Sequence, residues 1–185
     1  LLVCMGAVGA GSTGSSTPPG GMGEHWDTTL SGNRSYCMTG AKSAGASGTQ
    51  TATGTTAASK CISIALIEGD TEYPGVRFRG STNTGPSNVT SDISLTMPAN
   101  IAAGDMLLAH LTLNEDRTVT TPAGWTLQAN LATTGAMRVF SKIATGAEAG
   151  ANLTIAFTGG STTASLAVSA FWSPGGATLQ IGDVA

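Results

Sequence analysis

Apolar residues alternate with polar or small residues along the second half of the chain, at the two-residue period of a half-buried β-strand. The alternation predicts strands around these positions: Ile93, Leu95 and Met97; Leu107, Ala109, Leu111 and Leu113; Trp125, Leu127, Ala129 and Leu131; Met137, Val139, Ser141 and Ile143; Leu153, Ile155 and Phe157; Leu166, Val168 and Ala170; and Leu179, Ile181 and Val184. We expect each strand to have one apolar face, with Trp125 in the core.

Turn signals separate the predicted strands, at Asn114-Glu115-Asp116, Thr134-Gly135, Gly159-Gly160 and Pro174-Gly175-Gly176. The stretch from Thr145 to Gly150 is helix-like, but it is too short and too close to glycine to be more than a turn. About seven short strands at regular spacing indicate an all-β fold, an antiparallel β-sandwich of Ig-like or jelly-roll type. The pattern leaves the strand order open.

The chain also repeats itself, at an offset of about 103 residues. Matching segments recur in the same order: Leu1 to Met5 over Met106 to His110, Pro19 over Pro122, Arg34 to Tyr36 over Arg138 to Phe140, Gly48 to Gln50 over Gly150 to Asn152, and Ile62 to Ile64 over Leu166 to Val168. The repeat predicts two tandem β-sandwich domains. The first, with a connector, covers residues 1–84 and the second covers residues 85–185.

The two copies are unequal. The first begins at the counterpart of the second copy's second strand, so we expect it to lack a first strand, and it has Met22 where the second copy has Trp125. An open sandwich edge is a template for a further strand. Three sources are left open as hypotheses: an upstream segment, the chain's own tail near Thr178–Ala185, or a neighbouring subunit.

Composition narrows the class of protein. Hydrophobic residues make up 41% of the chain, aromatic residues 5% and charged residues 10%, with 26 glycines. A net charge of -3 without a basic stripe argues against a nucleic-acid partner. The sequence contains no run of about 18 apolar residues, so it predicts no membrane span. Weakly charged surfaces rich in small side chains are common in secreted proteins, fibres and virions.

The second copy resembles a recurrent β-sandwich module at four segments: Asp105-Met106-Leu107-Leu108, Thr121-Pro122-Ala123-Gly124-Trp125, Arg138-Val139-Phe140-Ser141-Lys142 and Ala144-Thr145-Gly146. Similar modules are found in phage virion and tail-fibre proteins and in large uncharacterised bacterial surface proteins. The resemblance covers residues 86–181 well and residues 1–70 loosely. It implies a β-sandwich in a virion or outside a cell, and it implies no catalytic residue.

Candidate chemical groups are few. Glu68, Asp70 and Glu72 would place three carboxylates on one side of extended backbone, where they could bind calcium, although the spacing is not that of an EF-hand and a solvated turn is the alternative. We expect the loop tip Glu115-Asp116-Arg117 to face solvent. Three cysteines allow one disulfide in three ways, or small buried side chains: Cys4, Cys37 and Cys61.

Arginine and aromatic residues are enriched in protein interfaces. Tyr73, Arg77, Phe78 and Arg79 are therefore the predicted inter-domain or inter-subunit contact, with an ordinary exposed strand as the alternative. His110 alternates with the apolar positions of its strand, so we expect it to point away from that apolar face.

These observations predict a structural protein of a virion or extracellular fibre, either capsid decoration or tail fibre, that is not an enzyme and needs no cofactor. Its expected partners are copies of itself and other virion or surface proteins. The alternative is a module that binds a host glycan through loops around Asn114–Thr121 and Thr133–Ala136.

Overall fold

A computed structural model describes residues 75–132 and 135–182 with their side chains. Outside these ranges it describes the backbone of residues 183–184 and of four strands, 2–8, 22–30, 33–40 and 59–68. Within this part of the chain the structure consists of β-strands joined by turns and contains no helix. Every strand pair is antiparallel. The all-β prediction is therefore confirmed, and so is the turn at residues 145–150.

The strands are numbered in chain order. Four lie in the first part of the chain: β1 Leu2–Val8, β2 Met22–Leu30, β3 Asn33–Gly40 and β4 Ser59–Glu68. The remaining strands are β5 Arg77–Asn83, β6 Ser87–Val89, β7 Asp92–Thr96, β8 Met106–Leu113, β9 Thr118–Val119, β10 Thr126–Leu131, β11 Ala136–Ile143, β12 Asn152–Thr158, β13 Thr162–Trp172 and β14 Leu179–Val184.

These strands form three sheets. A six-stranded sheet has the order β10-β11-β8-β13-β5, with β6 also paired to β13, and a three-stranded sheet has the order β7-β12-β9. A five-stranded sheet has the order β14-β4-β1-β3-β2. The last strand of the chain therefore belongs to the sheet formed by the first strands of the chain.

The main core lies between the six-stranded and three-stranded sheets. In β12 the predicted alternation holds along the whole strand, because Leu153, Ile155 and Phe157 are buried while the residues between them are exposed. They pack against apolar residues of β8 and β13, such as Leu111 and Leu166. Burial of each such side chain contributes about 1.5 to 3 kcal/mol. This packing of sheet on sheet is typical of a β-sandwich, and Trp125 lies in it as predicted.

Central strands of the six-stranded sheet are buried on both faces, which corrects the expectation of one apolar face per strand. Leu108 on β8 and Val139 on β11 belong to a second apolar cluster, on the face opposite the main core. Leu179, which is 1% exposed, and Ile181 pack into this cluster from β14. Because β14 is hydrogen-bonded to β4, it brings the edge of the five-stranded sheet onto this face.

A bulge in β10 breaks the alternation predicted from Trp125 to Leu131. The register with β11 shifts between Leu127 and Ala129, because a bulge places an extra residue, Gln128, in one strand. Gln128 donates a side-chain hydrogen bond of 2.8 Å to Ser141. The strand thus changes faces: Trp125 lies in the main core, whereas Ala129 and Leu131 pack against the second cluster.

The five-stranded and six-stranded sheets have corresponding strand orders. Read from edge to edge, the two orders are β2-β3-β1-β4-β14 and β10-β11-β8-β13-β5. The first four positions correspond, because the strands that occupy them occur in the same relative order along the chain. The last position differs, because β14 comes after β4 in the chain whereas β5 comes before β13. Their edge strands also share an irregularity, because the register of β2 with β3 shifts at His25 and that of β10 with β11 at Gln128. These two bulges lie 103 positions apart.

The turn after β11 is closed by Glu148. Its carboxylate accepts hydrogen bonds from the backbone nitrogens of Thr145 (2.8 Å) and Gly146 (3.0 Å), and it lies 2.8 Å from the Lys142 ammonium. Burial by itself would raise the pKa of Glu148, but the hydrogen bonds from Lys142 and Thr145 outweigh burial and hold this pKa at about 2.

Candidate functional site

A cleft of about 340 Å³ opens between the segment that contains β9 and the edge strand β10. Arg138 and Phe140, two residues apart on β11, line it together with Thr118 and Thr121 from one side and Leu127 from the other. This volume is in the range of small-molecule binding sites. The cleft includes most of the loop Asn114–Thr121 that the sequence indicated as a recognition loop.

Arg138 forms the charged end of the cleft. Because it lies two residues from Phe140 it points to the same face of β11, and its side chain is only 6% exposed. One guanidinium nitrogen donates to the backbone carbonyl of Leu131 (3.1 Å), and another donates to Asp116 (2.5 Å) and approaches the carbonyl of Arg117 (3.5 Å). Arg138 thereby joins β11 to β10 and to the loop before β9.

Arg117 fixes the other end of this loop. Its guanidinium donates to Glu115 (2.6 Å) and to the backbone carbonyl of Ser161 (2.8 Å). The side chain runs past Gly159, whose φ of +114° favours glycine and whose position would put an added Cβ 3.0 Å from the Arg117 Cδ. The expectation that the tip 115–117 faces solvent is therefore right for the carboxylates of Glu115 and Asp116, which are 57% and 45% exposed, and wrong for Arg117.

The accessible lining of the cleft is polar without excess charge. Arg138 and Arg117 are each paired with a carboxylate, so their charges are balanced locally. Thr118, Thr121 and Asn130 offer hydroxyl and amide groups, and Leu127, 41% exposed, adds an apolar surface. Such a lining suits an uncharged ligand that carries many hydroxyl groups, because each group can exchange hydrogen bonds without requiring a counter-charge.

The residues predicted to form an interface lie at the opposite edge of the six-stranded sheet. Arg77 is exposed, whereas Phe78 makes an edge-on contact with Phe171 at a ring-centroid distance of 5.7 Å. Tyr73 lies outside the described residues. The prediction of an inter-domain or inter-subunit contact here remains a prediction.

Arg79, the fourth of these residues, is held within the sheet. Its guanidinium forms an ion pair of 2.5 Å with the buried carboxylate of Asp105 and lies over the Trp172 ring, 4.8 Å from the centroid. Asp105 also accepts a hydrogen bond from the backbone nitrogen of Ala102. These contacts position the turn before β8, and they leave Arg77 as the more accessible of the two arginines.

The calcium candidates are not brought together by any described contact. Glu68 is the last residue of β4, and Asp70 and Glu72 lie outside the described residues. Among the described residues no three His, Cys, Asp or Glu side chains are close enough to hold a metal ion. The cysteines lie on β1, β3 and β4, where Cys37 is opposite Met5 and Cys61 is opposite Gly6.

His110 lies in the middle of the six-stranded sheet. It points away from the main core, as the alternation predicted, but this second face is buried as well and His110 is only 1% exposed. Burial lowers the pKa of His110 to about 3, so the imidazole is neutral at physiological pH. Alternation could not predict this burial, because it identifies the two faces of β8 but not what covers them.

Sequence reasoning did not identify Arg138 as a cleft residue. An arginine between Met137 and Val139 is the polar position expected of a half-buried strand, and its partner Asp116 is distant in sequence.

No protein family, curated protein or solved structure matches this chain. None of the described residues forms a helix able to cross a membrane.

Proposed function

We propose that this chain is a non-enzymatic structural protein of a virion or extracellular fibre, built from two tandem β-sandwich units that assemble through their sheet surfaces. The observation that carries the proposal is the exchange of edge strands between sheets: β14 pairs with β4, while β5 pairs with β13. Each of these edges accepts a strand that is distant in the chain, and such an edge can accept the same strand from another copy.

The tandem arrangement is supported by the corresponding strand orders and by the edge bulges at His25 and Gln128. Bulges are local features that depend on one inserted residue. Their occurrence in corresponding edge strands, at the offset of the sequence repeat, favours duplication of one unit over two unrelated sheets.

The outer face of the three-stranded sheet favours assembly through flat contacts. Ser94 and Thr154 are exposed on neighbouring strands and share a hydrogen bond of 2.7 Å, and Thr96 donates one of 2.8 Å to Asn152. These short, uncharged side chains are already hydrogen-bonded to one another. A partner can therefore cover them at little cost in desolvation or side-chain entropy.

The test places one charge on this face. Thr154→Arg should abolish or shrink multimers that the unmodified chain forms, measured by light scattering and electron microscopy, because a buried unpaired cation opposes packing. Ala149→Arg, in the exposed turn after β11, is the matched control and should leave the multimers unchanged. A chain that stays monomeric at all concentrations, or multimers equally tolerant of both variants, would overturn the proposal.

Glycan binding is a second candidate, favoured by the uncharged polar lining of the cleft. A glycan-array screen of the whole chain tests it, followed by titration of any hit. Asn130→Ala in the cleft should weaken binding, whereas Asn88→Ala on β6, at the far edge of the six-stranded sheet, should leave binding unchanged. Absence of any hit, or equal effects of the two variants, would contradict glycan recognition at this cleft.

A further inference from the structure

Two strands do not pair with the strand that precedes them in the chain. β5 follows β4 and β14 follows β13, each after a short connection that contains a Pro-Gly step, Pro74-Gly75 or Pro174-Gly175. Consecutive strands with short connections usually pair as a hairpin. Hairpins would place β5 beside β4 and β14 beside β13. Instead β5 pairs with β13 and β14 pairs with β4, so the two strands have exchanged places.

The two strands also match in detail. Both occupy the end of their sheet beside the longest strand of that sheet, β13 or β4. The register of β5 shifts at Arg79 and that of β14 shifts at Gly182, so each carries one bulge. These bulges lie 103 positions apart, as do the bulges at His25 and Gln128. The four positions thus agree on one offset.

From this we infer that β5 and β14 are equivalent strands exchanged reciprocally between two like units, and that the same exchange joins β14 of one chain to β4 of a second copy. The inference rests on the tandem units of the proposed function. A second copy is the partner because it presents the identical β4 edge and the identical second cluster. Every contact made between copies would then be one that the chain already makes within itself.

The connection before β14 favours exchange. Ser173 to Gly176 form a tight turn, in which the Gly176 nitrogen donates 2.9 Å to the Ser173 carbonyl and Gly176 has a φ of +73°. Proline in this turn restricts its backbone. β14 makes the same contacts with β4 of its own chain and with β4 of a second copy. The balance between closure and exchange therefore depends on the protein concentration relative to the effective concentration of the tethered strand. This effective concentration is in the mM range for short linkers.

The apolar anchor of β14 makes an unpaired strand unfavourable. Leu179 is 1% exposed and Ile181 is half-buried in the second cluster. A released β14 would expose both side chains together with an open β4 edge. A released strand is therefore recaptured either by its own chain or by a second copy, rather than persisting in solution.

Cross-linking between differently labelled chains tests the exchange. With Cys4, Cys37 and Cys61 replaced by serine, one chain carries Ile67→Cys and the other Gln180→Cys, the positions opposite each other across β4 and β14. Opposed residues in antiparallel strands have the Cα separation that a disulfide needs. After joint unfolding, refolding at high concentration and oxidation, we expect a disulfide-linked species of twice the monomer mass. Its yield should fall when Ser59→Cys, at the other end of β4, replaces Ile67→Cys.

A single chain carrying both cysteines completes the test. Oxidised at low concentration, it should close within itself and lose the concentration-dependent dimer. If this double variant closes but the mixed chains never cross-link, exchange between copies is overturned. If it does not close, the β14–β4 pairing is itself overturned. Multimers that persist in the closed chain would support assembly through sheet faces, whereas the cross-link between mixed chains alone decides exchange, so the two proposals fail separately.

Discussion

Arg138 and Asp116 form an ion pair at one end of the cleft, although the two residues lie on different structural elements and differ greatly in exposure. The Arg138 side chain is 6% exposed and the Asp116 side chain 45%. The guanidinium also contacts three backbone carbonyls, those of Leu131, Met137 and Arg117. A buried guanidinium with this many hydrogen bonds indicates that this end of the cleft is rigid.

Asp116→Asn should therefore destabilise the fold. The amide keeps the shape of the carboxylate but removes the charge that balances Arg138, at an expected cost of about 1 to 2 kcal/mol in the free energy of unfolding. Urea denaturation measures this. Glu115→Gln breaks the neighbouring pair with Arg117, whose carboxylate is mostly exposed, and should cost less than about 1 kcal/mol. Equal losses from both variants would show that the Asp116 charge has no special role.

Glu148 should make stability fall in acid. Its pKa is lowered in the folded state, from 4.5 to about 2, so its contribution is fully present above pH 4.5 and is lost as the pH falls from 4.5 towards 2. A shift of this size is on the order of 3 kcal/mol. Glu148→Gln should be less stable at neutral pH and should lose less stability between pH 4.5 and pH 2.5. Parallel stability curves for both proteins would contradict this role.

His110 should act in a different pH window. Its pKa is lowered from 6.5 to about 3, so the unfolded chain takes up a proton at this position between pH 6.5 and pH 3 while the folded chain does not. Stability should therefore decline through this range, with a limiting slope of about 1.4 kcal/mol per pH unit from this group. His110→Met should flatten the decline between pH 6.5 and pH 5.5, where Glu148 is mostly ionised in both states. An unchanged slope in thermal or urea denaturation would contradict the burial of a neutral imidazole.

The alternation of apolar and polar residues predicted those features of the fold that depend on residues close together in the sequence. Leu153, Ile155 and Phe157 alternate with exposed residues because β12 has one buried face. The Gln128 bulge could not be anticipated, since a single inserted residue reverses the faces without changing composition. The chain's own tail was one of three open sources of a strand for the first unit, but its pairing with β4 could not be predicted, because alternation identifies a strand but not its neighbour. The cleft depends on Arg138 and Asp116, whose pairing follows from tertiary structure alone.

Leu179 is the position at which the docking of β14 can be measured directly. Leu179→Ala removes a side chain that is 1% exposed in the second cluster and should cost about 2 to 4 kcal/mol, because a cavity remains where the leucine packed. Leu127→Ala, at a leucine 41% exposed beside the cleft, is the matched control and should cost less than about 1 kcal/mol. Beyond global stability, backbone hydrogen exchange in β14 and along β4 should accelerate in the Leu179 variant, because β4 loses its hydrogen-bonded neighbour whenever β14 detaches. If exchange in β4 stays as slow as in the unmodified chain while the main core is equally stable, β14 does not protect this edge.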